Sequence, residues 1–107
     1  MKIVTGSILR TLVNLNLRHL PQTTAPRKAE LQTGILVQAL EVPMNGWLRC
    51  VVHGWRHDDH PGVLFSEPDV SSSIETRSGS LGWHSASVEG YASVDNAAWW
   101  QIVDGPT

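Results

Sequence analysis

Ile35-Leu36-Val37-Gln38-Ala39-Leu40-Glu41-Val42, then Pro43-Met44-Asn45-Gly46, then Trp47-Leu48-Arg49-Cys50-Val51-Val52-His53 reads as a β-hairpin. Apolar and β-branched residues dominate both arms, which favours strand over helix. Asn45-Gly46 between them is the strongest short hairpin signal, because both residues tolerate the positive φ of a two-residue turn. In the returning arm Cys50 sits within an apolar run, while His53, three residues on, falls on the opposite face of a strand. Cys50 therefore reads as a small core hydrophobe, and as the single cysteine it can form no intrachain disulfide.

Working outward from the hairpin, residues 7–18 alternate as a strand, with Val13, Leu15 and Leu17 on one face and Asn14, Asn16 and Arg18 on the other. Pro21, Gln22, Thr23, Thr24 and Pro26 make residues 19–27 a loop, and a strand resumes near residues 29–32, before a turn at Gly34. On the carboxyl side, residues 87–94 regain strand character. Residues 95–98 read as a turn or a single helical turn, and residues 99–103 as a last strand. The intervening stretch, residues 54–87, carries a His-Asp cluster, Pro61, Pro68, Ser71-Ser72-Ser73, Gly62, Gly79 and Gly82. It reads as a long elaborated loop with short hairpins around residues 63–65 and 80–84, and loops beyond about 15 residues tend to be functional or disordered. The expectation is one all-β domain over residues 1–107, with no helix of ordinary length and no internal repeat.

Composition sets bounds on function. A chain of 107 residues with 41% hydrophobic and 17% charged residues can bury one core unaided. A formal net charge of −2 without a field of Lys and Arg argues against nucleic acid as the main ligand. Met1-Lys2-Ile3-Val4-Thr5-Gly6 lacks the apolar stretch of a secretory signal, and no segment reaches transmembrane length. Synthesis in the cytoplasm, with no membrane partner, is the corresponding expectation.

Leu15-Asn16-Leu17-Arg18 followed by Leu20-Pro21-Gln22-Thr23-Thr24 resembles the opening of the bacterial SH3-like domains, Leu-Asn-Val-Arg followed by a Gly-Pro-Ser-Thr loop. Glu30-Leu31-Gln32-Thr33-Gly34 is similar to the family's stretch ending in a turn glycine, and Val37-Gln38-Ala39-Leu40 to the strand after it. Asn45-Gly46-Trp47-Leu48-Arg49-Cys50 is similar to the family's Asn-Gly-Trp-x-Lys-Val, and Gly90-Tyr91-Ala92 to its closing Gly-Trp-Val. Leu20 departs from the family's loop glycine, and the residues between the Trp47 strand and Tyr91 replace a short hairpin. Over residues 15–52 and 90–92 the resemblance implies a small, SH3-like antiparallel barrel and a non-catalytic binding role, often towards peptide or cell-wall glycan. It transfers no ligand, since fold and function are separable.

His53-Gly54-Trp55-Arg56-His57-Asp58-Asp59-His60, with His84 further on, is the one cluster of metal-ligand residue types, but it matches no zinc spacing, and no metal or other cofactor is expected. The serines at positions 71–73, 78, 80, 85 and 87 lie in no nucleophile elbow, and Asp58 and Asp59, being adjacent, point apart, so no catalytic set is expected. Five tryptophans against one Phe and one Tyr are the remaining anomaly. Each suits either a small β core or a binding surface. Of the neighbours Trp99 and Trp100 only one can face the core of a strand. The expected binding residues are Trp55, as the exposed anchor, with Arg56, Trp83, Tyr91 and Trp99. These features favour a protein-interaction or self-assembly subunit, an accessory part of a phage or other multi-chain particle (virion), using residues 54–87 as its contact surface. The alternative from another class is a cell-wall glycan-binding module, and a metal-dependent enzyme built on the His-Asp loop is the remote one.

Overall fold

The structure, a computed structural model, describes residues 2–66 and 82–104. Among the described residues eight strands form an all-β domain: β1 (Ile8–Thr11), β2 (Leu15–Arg18), β3 (Arg27–Leu31), β4 (Leu36–Ala39), β5 (Trp47–His57), β6 (His60–Phe65), β7 (Trp83–Ser93) and β8 (Trp100–Asp104). A 3₁₀ turn at Ala97–Trp99, its Ala98 N–H donating to the Asn96 side-chain oxygen, precedes β8. In spatial order the strands run β6-β3-β2-β7-β5-β4-β1-β8. Because β6 pairs in parallel with β3 and antiparallel with β5, the strands β2, β3, β6, β5 and β7 close into a five-stranded barrel, with β4, β1 and β8 as a side wing.

The hairpin forms as its sequence dictates. Asn45 and Gly46 take φ values of 53° and 79°, and Met44 and Trp47 exchange both main-chain hydrogen bonds across the turn. In β5, Leu48, Cys50 and Val52 are fully buried and alternate with outward residues, His53 among them. They meet Leu17, Leu31, Leu64, Leu9, Val37 and Ala92 in one continuous core. Trp100 completes it, 4% exposed, with its indole N–H bonded to the Ser93 carbonyl at 2.9 Å. Trp99 sits in the 3₁₀ turn rather than in the strand and packs half-buried against the same core.

Two expectations are corrected. The alternation of residues 7–18 belongs to two strands that do not pair with each other, broken at residues 12–14. The buried Thr11 hydroxyl donates to the Gln32 carbonyl at 2.8 Å and accepts from the Ile35 N–H at 3.0 Å, while Asn14 Oδ1 accepts from the Thr33 N–H and hydroxyl. Both side chains thus brace the β3–β4 turn, which pulls residues 12–14 out of a strand path.

Second, the loop placed over residues 54–87 is largely strand where it is described. β5 continues to His57, turns at Asp58-Asp59 and returns as β6, and β7 begins at Trp83, pairing with β5 over all eleven of its residues. The expected hairpin around residues 63–65 falls within β6, the one around residues 80–84 lies partly outside the described residues, and residues 67–81 of the loop lie wholly outside them. Gly54 is no breaker. A Cβ there would stand 2.6 Å from Ile35 Cδ1 and 2.7 Å from the Phe65 carbonyl, so glycine lets β6 and Ile35 close on the strand. The register shift between Trp55 and His57 accommodates Pro61 and Gly62 against β5.

The Gly54→Ala variant is expected to lose about 1–3 kcal/mol of stability in chemical denaturation, because the carbonyl it meets is main chain and cannot swing aside. An unchanged midpoint would contradict this approach of β6 to β5.

Candidate functional site

The outward faces of β5 and β7 carry Trp47, Arg49 and Tyr91 side by side: Arg49 pairs directly with Tyr91, and Trp47 lies two residues before Arg49 on the same face. Pro21, from the β2–β3 loop, and Glu41, Val42, Met44 and Asn45, from the β4–β5 hairpin, wall this stripe into an open cleft of about 190 Å³. Two of the lining side chains are large, apolar and exposed: Met44 at 72% and Val42 at 61%.

The cleft is held from both ends. The Val94 N–H donates to the Gly46 carbonyl at 2.8 Å, and a Cβ on Gly46 would stand 1.8 Å from Asp95 Oδ1, so the hairpin tip rests directly on the end of β7. At the base, Arg49 Nε and Nη2 both donate to Glu89 Oε1, at 2.8 and 2.6 Å, and Nη1 donates to Glu41 Oε1 at 3.0 Å. The bonds to Glu89 and then Glu41 hold the Arg49 guanidinium above its ordinary pKa. The triad ties the β4–β5 loop to β5 and β7, and as a solvated network its value lies in positioning more than in stability.

The other expected residues stand elsewhere. Trp55 pairs with Ser85 and Phe65, and Trp83 pairs with His57, along an arm in which β5, β6 and β7 run on beyond the cleft. Six residues separate Tyr91 from Ser85 along β7, about 20 Å at strand rise. The Trp55 side chain is half-buried rather than an exposed anchor. Trp83 meets His57 edge-on at 4.7 Å and Phe65 at 5.1 Å, with His60 6.3 Å from both Phe65 and His57, so four rings pack around one another on the arm. Arg56 lies across from His84, and its Nε is buried without a hydrogen-bond partner among the described residues. Of the five residues expected from sequence, the structure brings only Tyr91 to the cleft, and Trp99 packs on the core.

In the His-Asp turn, His84 Nε2 lies 2.9 Å from Asp58 Oδ1, and the Asp59 N–H donates to His57 Nδ1 at 3.1 Å. Among the described residues no three of His, Cys, Asp and Glu converge to hold a metal ion, and no helix is long and apolar enough to cross a membrane. Val42, Met44, Trp47 and Arg49 were not singled out as site residues in the sequence. The signal that could have found them is the pair Met44 and Val42, two large apolar side chains beside an Asn-Gly turn that a hairpin must hold towards solvent.

No family model, no curated protein and no solved structure matches this chain. The functional reading therefore rests on the cleft itself.

Burial, and after it the negative charge of Glu89, pushes the Cys50 thiol up to about 12. An unfolded thiol ionises near pH ~8.5, so the stabilisation from keeping Cys50 neutral is present below that pH and is lost as the pH rises towards 12. Cys50→Ala is expected to flatten the alkaline fall in melting temperature. In the native wild type the thiol should resist a disulfide reagent at pH 8 until the chain unfolds; rapid native labelling would contradict its burial.

Proposed function

We propose that this chain is a non-catalytic binding module that seats a polypeptide partner in the Trp47–Tyr91 cleft, as an interaction or assembly subunit of a multi-chain structure. One observation carries the reading: Met44 and Val42, two large apolar side chains, stand in solvent beside an aromatic floor, on a hairpin braced at both ends. Large apolar side chains held out around a concave site favour a protein partner, because covering them releases water while the braced hairpin loses little entropy on binding. Aromatic and Met side chains with Arg are also the types enriched at protein interfaces. The resemblance of residues 15–52 to SH3-like domains supports the same class of role.

A glycan is the competing ligand, with Trp47 and Tyr91 as stacking platforms and Glu41 and Asn45 for hydroxyls. The exposed Met44 and Val42 favour protein over sugar, since neither offers a hydroxyl a hydrogen bond.

The test places a photo-cross-linking amino acid at Met44 or, separately, at Trp55, in cells of the native source. Light-dependent polypeptide adducts are expected from position 44, with markedly fewer from position 55. Adducts from position 55 alone would move the interface to the arm. Retention of the chain by soluble peptidoglycan fragments, with no polypeptide adduct at position 44, would favour the glycan.

A further inference from the structure

We propose that Arg18 and Arg27, next to the Tyr91 side of the cleft, seat a carboxylate of the partner polypeptide, an Asp or Glu side chain. This rests on the reading of the cleft as a polypeptide site and specifies what that polypeptide must carry.

Across the outer face of the sheet, Arg49 of β5 stands opposite Tyr91 of β7, Tyr91 opposite Arg18 of β2, and Arg18 opposite Arg27 of β3. Arg27 joins this row through an irregularity in the ladder: Leu17 pairs with Ala29 and Arg18 with Arg27, so Lys28 is an extra residue. Under strict alternation Arg27 would share the inward side of the buried Ala29 and Leu31, and the bulge turns it out beside Arg18. Two arginines are thereby set directly opposite each other, an arrangement that destabilises an antiparallel pair. Neither enters an ion pair among the described residues. The carboxylates of this face are engaged or distant: Glu41 and Glu89 bond to Arg49, Glu30 accepts from the Gln32 side chain, and Asp95 stands beside Gly46 at the hairpin tip. Lys28, exposed beside the pair, donates to the Glu89 main-chain carbonyl at 2.6 Å. What the fold leaves here without an opposite charge is cationic.

The pair is also positioned. Arg18 is half-buried, and its Nη1 donates to the Ala25 carbonyl at 2.9 Å, in the loop that gives Pro21 to the cleft. That bond holds the guanidinium in place and leaves its other N–H groups for a ligand. Arg27, across from it, is exposed. A planar guanidinium matches the two oxygens of a carboxylate, and an ionised acceptor makes the stronger bond. Arg18 lies one strand spacing from Tyr91 and Arg27 two, about 5 and 10 Å. An extended peptide with an apolar residue over Tyr91 therefore brings a residue about three positions along onto Arg27. A lysine at that position would meet like charge.

The experiment selects peptides from a random displayed library on the whole chain and keeps those that shift the Trp47 indole N–H resonance, assigned with a Trp47→Phe variant. They are expected to carry Asp or Glu about three residues from an apolar or aromatic residue. Replacing that acid by Asn or Gln in a selected peptide should weaken binding about tenfold at low ionic strength, and the difference should shrink as sodium chloride is raised. Arg27→Gln should abolish the difference and leave the melting temperature at or above that of the wild type, since it removes one of two opposed like charges. A lower melting temperature in that variant would show Arg27 already partnered within the chain and would overturn the carboxylate site. Selected peptides that lack an acid, or that bind equally well once it is replaced, would overturn it too and leave the polypeptide reading in place. A Trp47 resonance shifted by a soluble peptidoglycan fragment and by no selected peptide would overturn the polypeptide reading itself.

Discussion

Everything in this fold hangs on one strand used three ways. β5 pairs with β7 along its whole length on one edge, and on the other with β4 through residues 50–53 and then β6 through residues 55 and 57. The first half ties in the side wing; the second closes the barrel. Inward, the same strand supplies Leu48, Cys50 and Val52 to the core, and outward it supplies Trp47 and Arg49 to the cleft. A strand of alternating inward and outward residues therefore fixes the face that carries the cleft as a consequence of fixing the core. Gly54, between the two halves, is where Ile35 and the Phe65 carbonyl approach most closely, and a side chain there would part them.

Much of this was legible in the sequence because it was local. The alternation of β4 and the first half of β5, the positive φ required at Asn45-Gly46 and the inward setting of Cys50 are properties of a few adjacent residues, and each appears in the structure as read. What was misread depends on distant partners. Gly54, His57 and His60 to Gly62 look like loop residues in isolation and lie in strands. In the fold Gly54 is a close-approach position, and Gly82 packs on the His57 ring, where a Cβ would stand 2.9 Å from Nε2. Asn14 looked like an outward strand residue and instead braces a turn nineteen residues away.

The site was less legible than the fold for the same reason. Sequence reasoning looked for function where residue types were unusual, in the tryptophans and the His-Asp cluster, and the structure gathers all of those but Trp47 into the arm and the core. The cleft is assembled from residues that are ordinary singly: a proline in one loop, a methionine and a valine in another, an arginine and a tyrosine on neighbouring strands. Only the pairing of β5 with β7 sets Arg49 beside Tyr91, and only the hairpin's fold-back brings Glu41 within reach of Arg49.

Amide hydrogen exchange resolved by residue measures most directly whether β5 holds the fold. If it does, the slowest amides are those of residues 48–52, which exchange only on global unfolding, while β8, paired on one edge alone among the described residues, exchanges through smaller openings. Protection that is greatest in β1 and β8, with residues 48–52 exchanging through local opening, would contradict this account of both the barrel and the face it presents.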